Sequence, residues 1–156
     1  FYDGATQDSF YLTGGGTVNS LWTKKAMAFQ PGWDDKGNVA SSYEGLASSV
    51  GDTLFCYATA PIGMADKDVG AWMSDMVGKL FKGLPPYESK NIVCFNEYAF
   101  AGLAAPVISY IIASVLSYDG FDLEKGFDLL QNYLDKFAPM DADARVGFVF
   151  LPEDIF

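Results

Sequence analysis

The sequence predicts an α/β fold with a mostly parallel central sheet flanked by helices, on three observations. Two continuous apolar runs, TLFCYAT at 53–59 and NIVCF at 91–95, have strand length and no polar alternation, the pattern of strands covered on both faces. Between and after them, apolar residues recur at spacings of three and four, the period of amphipathic helices. Strands that alternate with helices in this way favour a layered sheet with parallel neighbours.

Taken in order, Phe1 and Tyr2 read as the end of a strand. From Thr6 to Ser49 the chain is rich in turn formers: Gly14–Gly16, QPGW at 30–33, DDKGN at 34–38 and ASSYEG near Ser41. So long a connection inside one domain predicts a mobile or functional loop at about 6–49, interrupted by one short ordered piece, NSLWTKKAMAF. GGGTVNS lacks the GxxxxGK[ST] pattern of a phosphate loop. Gly51-Asp52 and Pro61 bound the TLFCYAT strand. The clearest helix follows. Val69, Trp72, Met73, Met76, Val77, Leu80 and Phe81 form one apolar stripe, Asp66 and Asp68 favour its N-terminus, and Gly83 with Pro85-Pro86 stops it. After NIVCF, a helical stretch is expected from about Asn96 to Tyr118, with Pro106 either kinking it or opening a second helix. Asp122 is placed to cap a further helix with Leu123, Phe127, Leu130, Leu134 and Phe137 on one face, ended by Ala138-Pro139. VGFVFL at 146–151 reads as the last strand.

Composition narrows the function. The 156 residues suit one domain or part of one, and half are hydrophobic, enough for a real core. A formal net charge of -10 argues against partners such as nucleic acid or an anionic membrane surface. The chain contains no histidine, which removes a Cys-His dyad completed within it and most catalytic zinc sites; neither a metal nor a cofactor is expected. Cys56 and Cys94 each sit inside an apolar run and read as buried free thiols, a cross-strand disulfide being the lesser alternative. The first residues have no signal-peptide pattern, giving a cytoplasmic expectation, and the lack of an initiator Met predicts a fragment or processed piece. The apolar window 99–116 is interrupted by Pro106 and reads as a core helix in preference to a membrane span.

Residues 51–83, GDTLFCYATAPIGMADKDVGAWMSDMVGKLFKG, resemble the caspase-like cysteine peptidases. In that family a central strand ends in Tyr-(Ser/Ala)-Thr-Ala-Pro-Gly, followed by a substrate-binding loop and an amphipathic helix with an aromatic near its start. Tyr57-Ala58-Thr59-Ala60-Pro61 matches, Ile62-Gly63 departs from the pattern, and Trp72 supplies the aromatic. The resemblance extends to the opening FYDGAT, which aligns with family patterns such as Phe-Ile-Asp-Ala-Cys-Arg and sets Ala5 at the nucleophile position. The distance from Ala5 to YATAP is close to the family's spacing, in which a mobile, processed loop intervenes. The closing ARVGFVFLPEDIF resembles the family's last strand; residues 88–140 match nothing in the pattern.

The resemblance implies a caspase-like layered fold of which this chain supplies the C-terminal part, starting at the nucleophile strand. Its partner would be the upstream half of the same protease, carrying the catalytic histidine. Ala5 is then an engineered Cys→Ala substitution or the mark of a natural pseudoenzyme. Relatives that cut after aspartate carry glutamine where this chain has Asp3, and arginines in the pocket; relatives with an acid there cut after arginine or lysine. Asp3, Asp66 and Asp68, with Ala58 beside them on the strand, therefore imply a pocket for a basic residue of a peptide or protein substrate. Lys24-Lys25 becomes a candidate self-processing site, and a homodimer stays open. Each residue also has a plainer reading. Asp3-Gly4 is a common turn pair, Asp66 and Asp68 are good helix-start residues, and Lys24-Lys25 suits any solvated surface. A pseudoprotease, or an unrelated acidic binding or inhibitor module, is the alternative function.

Overall fold

A computed structural model describes residues 10–12, 39–58, 60, 64–96, 105–137 and 143–156. The described elements are β1 (Phe10–Leu12), β2 (Val39–Ser41), α1 (Tyr43–Ser49), β3 (Leu54–Ala58), α2 (Asp66–Phe81), α3 (Pro85–Glu88), β4 (Ile92–Asn96), α4 (Ala105–Val115), α5 (Leu123–Phe137), β5 (Val149–Phe150) and α6 (Pro152–Ile155). The α/β class expected from the sequence is what forms.

β3 and β4 pair in parallel, from Leu54 opposite Ile92 to Ala58 opposite Asn96. A parallel pair needs a crossover connection, and α2 supplies it. Asn91 pins the start of the pair, its side-chain amide donating to Asp52 O at 2.9 Å and Thr53 Oγ1 at 2.8 Å. Among the described strands the sheet, in the order β3-β4-β5, is mixed, with one parallel and one antiparallel pair where mostly parallel pairing was expected. β5 runs antiparallel to β4, with Phe95 opposite Val149 and Cys94 opposite Phe150. The physical reason lies in where the chain re-enters the sheet. It arrives at the carboxyl end of β4, where Phe148 O accepts the Asn96 N–H at 2.9 Å, so its only course is back down the strand. β5 is also shorter than the expected 146–151, because Pro152 has no N–H to continue a ladder and opens α6.

Successive residues of a strand face opposite sides, and here they feed two cores. Leu46, Cys56, Met73, Val77, Leu84, Ile92, Cys94, Phe150 and Ile155 form one, under α2. Val93, Phe95, Ile108, Ile111, Ile112, Leu130, Leu134 and Val149 form the other, under α4 and α5. α6 docks on α2, with Ser74 Oγ donating to Ile155 O at 2.5 Å.

The helix stripe read from the sequence is the buried face of α2: Met73 and Val77 are fully buried, while Trp72 packs at the margin of the core. Gly83, at φ +91°, takes the left-handed conformation that ends such a helix cheaply. Asp122 does cap α5, accepting the Lys125 N–H at 2.8 Å. Of the helix expected from Asn96 to Tyr118, Asn96 belongs to β4, the described helix spans Ala105–Val115 and ends before Tyr118, and residues 97–104 lie outside the described residues. No helix among the described residues is long and apolar enough to cross a membrane.

The expected loop at 6–49 contains described structure. β1 and β2 pair antiparallel, and SSYEG, read as turn-forming, opens α1. Ser42 Oγ accepts the Gly45 N–H at 3.2 Å; serine is a turn former and equally a preferred N-cap. Tyr43 OH donates to Lys82 O at 2.7 Å, tying α1 to the end of α2. The segment NSLWTKKAMAF lies outside the described residues.

Candidate functional site at the carboxyl edge of β3 and β4

Parallel neighbours end on the same side, and in open α/β sheets ligands bind outside the carboxyl ends of the strands. That edge is formed here by Ala58 and Asn96, which face each other in register. Ala60, buried at 5% exposure, follows β3. Met64 packs onto the α2 core on the way to the helix. α2 then begins at Asp66, with Asp68 in its first turn; the Asp68 N–H is used by Ala65 O at 2.8 Å, and its side chain is exposed. Asp66, Lys67 and Asp68 open the helix, and acidic residues at a helix N-terminus complement its positive end.

Asn96 is the polar residue of the edge. By alternation along β4 it follows Ile92 and Cys94 on the α2 side of the sheet. Its Nδ2 donates to Gly147 O at 3.0 Å. Its Oδ1 is buried and is the one buried side-chain oxygen or nitrogen among the described residues without a hydrogen-bond partner. A buried acceptor left unpaired costs about 1–3 kcal/mol, so a ligand donor that reached it would recover that cost. The carbonyl of Gly147 is held by the returning segment. Ala144 N–H donates to Gln131 Oε1 at 2.8 Å, Arg145 pairs with Glu124, and the Arg145 guanidinium lies 4.7 Å from the Phe127 ring centroid. α5 thus positions the partner of Asn96.

Deeper in the same sheet, Cys56 and Cys94 are opposite each other in register. Neither is in a disulfide and both are buried, as the apolar runs predict. Burial pushes the Cys94 thiol well above its ordinary range, so it stays protonated and behaves as core. Among the described residues no group of three or more His, Cys, Asp or Glu side chains could hold a metal ion.

Of the residues singled out in the sequence, Ala58 is the last residue of β3, and Asp66 and Asp68 lie in the first turn of α2, the next described helix. Asp3, Ala5, Lys24 and Lys25 lie outside the described residues. Sequence reasoning missed Asn96 as a site residue, and it raised the cross-strand placement of the two cysteines only through the disulfide alternative, which does not form. The signals were present: Cys is the third residue of both Leu54-Phe55-Cys56 and Ile92-Val93-Cys94, and Asn96 is the first polar residue after an apolar strand.

No family model, no curated protein and no solved structure matches the chain.

Proposed function

We propose that the chain is the C-terminal part of a caspase-like cysteine endopeptidase that cleaves after arginine or lysine, with Ala5 at the nucleophile position. The observation that carries the reading is the run from β3 into α2: YATAP begins at the carboxyl end of a parallel strand and leads directly to an acidic helix start. A peptidase of this kind needs that order, since the strand end meets the peptide and the following segment meets its side chain.

In the active form the thiolate of a cysteine at position 5 attacks the scissile carbonyl. A histidine from the upstream half takes the thiol proton and returns it to the leaving amine, and backbone N–H groups hold the oxyanion. Ala5 keeps the backbone and lacks the sulfur, so substrate binds and no acyl-enzyme forms. Asp3, Asp66 and Asp68 attract the basic side chain by charge-assisted hydrogen bonds. Lys24-Lys25 is the self-processing site.

Ala5 and the absent histidine favour one second reading, a pseudoprotease that binds a basic peptide and releases it uncut. Restoring the thiol with Ala5→Cys in the full-length gene product, and offering fluorogenic peptides ending in Arg, Lys or Asp, separates the two. Cleavage after Arg or Lys that the Ala5 form lacks supports the protease. Cleavage after Asp refutes the basic pocket. A folded Ala5→Cys variant that cuts no peptide leaves the binding module.

A further inference from the structure

Asn96 stands apart from every other described polar side chain: its Oδ1 is buried and unpaired, and it sits opposite Ala58 at the strand edge. Its other half is committed, because Nδ2 holds Gly147 O at 3.0 Å. That bond fixes the orientation of the amide and leaves the carbonyl oxygen as the group without a partner. A fixed, desolvated acceptor is suited to a ligand that brings an N–H donor, and it rejects one that brings an acceptor or an apolar group. The basic pocket proposed above supplies the positive charge of that donor, with Asp66 and Asp68 in the segment that follows β3.

We infer that Asn96 is a specificity-determining residue whose Oδ1 accepts a hydrogen bond from the guanidinium or ammonium group of a basic peptide side chain. This rests on the proposed reading of the edge as a peptide site and deepens it, since nothing in the YATAP resemblance includes Asn96. The carboxylates supply attraction at long range, and Asn96 supplies a directional contact at short range. Arginine and lysine are therefore distinguished from a neutral side chain of equal length by a neutral amide as well as by charge.

The test uses the full-length gene product carrying Ala5, which binds without cutting. Calorimetry compares an acetylated tripeptide amide ending in arginine with the same peptide ending in norleucine, on the parent, Asn96→Leu and Asn96→Asp forms. Circular dichroism and thermal melting establish that each variant is folded. The expected result is a parent preference for arginine that Asn96→Leu reduces roughly tenfold, with no effect on the norleucine peptide. Asn96→Asp keeps an acceptor and loses the donor to Gly147, so it retains or strengthens the preference. A preference that survives in folded Asn96→Leu overturns the inference and leaves the basic-pocket reading standing. Equal loss in both variants assigns Asn96 to the Gly147 contact alone and also overturns it. A parent protein without preference for arginine removes the pocket reading, and this inference with it.

Discussion

On one face of the β3-β4-β5 sheet, Val93 and Phe95 meet Ile108, Ile111, Ile112, Leu130 and Leu134, and apolar contact runs the length of the strand. On the other face, Ile92 and Cys94 meet Met73 and Val77, and the strand ends on Asn96 with an unpaired oxygen. The same five residues of β4 supply both faces. The α4–α5 face spends all its side chains on burial. The α2 face gives up its last position to a polar group at the edge where parallel strands open. A wholly apolar run and a run that ends on a polar group thus lie on opposite sides of one strand.

The comparison can be broken most severely by truncating the structural face. Leu130→Ala removes a fully buried side chain and is expected to cost about 2–5 kcal/mol, read by chemical denaturation, while leaving the arginine preference of the folded protein intact. A loss of preference without a loss of stability would show that the two faces are not separable. Crowding tests the same face more gently. Gly126 lets α5 approach α4 closely, since an added Cβ would meet Ile111 Cγ1 at 3.0 Å. Gly126→Leu is expected to cost about 1–3 kcal/mol, again visible in the denaturation midpoint.

How far the contrast was legible in the sequence follows from the signals each face leaves. The stripe of α2 and the cap at Asp122 announce themselves, because helical period and capping are local. The α4–α5 face was legible in part: Leu130 and Leu134 lie on the expected stripe, while Asn96 fell to β4 and the helix stopped at Val115. β5's direction was illegible, since no residue of GFVFL encodes which way a strand runs; that depends on Phe148 meeting Asn96. The orphan oxygen was equally illegible, being a property of one side chain's surroundings. The acids at 66 and 68 were visible as residue types and as a helix start, and that is where they lie.

Smaller perturbations sharpen the picture. Removing the α5 cap with Asp122→Ala should cost about 1 kcal/mol in the same denaturation assay. Alkaline pH addresses the α2 face through its buried thiols. The Cys94 pKa lies above its ordinary value of 9.0 because of burial, so the unfolded chain ionises first. The Cys94 contribution is fully present below pH 9.0 and is lost as pH rises through the raised folded value; Cys94→Ala should remove that part of the decline in pH-dependent melts. The slightest effect belongs to Glu44 in α1. Its own backbone N–H, and then Ser42, hold its carboxyl below the ordinary 4.5. Its contribution is present above that value and is lost as pH falls through the depressed pKa, a change to be followed by the Glu44 carboxyl resonance in a pH titration.

Photo-crosslinking tests the division of labour most directly. A tripeptide amide ending in arginine, with a benzophenone group at its N-terminus, is irradiated with the full-length Ala5 protein and the adducts are mapped by mass spectrometry. Adducts concentrated in residues 57–68 and 94–98, competed by the unlabelled arginine peptide, are the predicted result. Adducts concentrated on α4 and α5, with the strand edge unmarked, would contradict it.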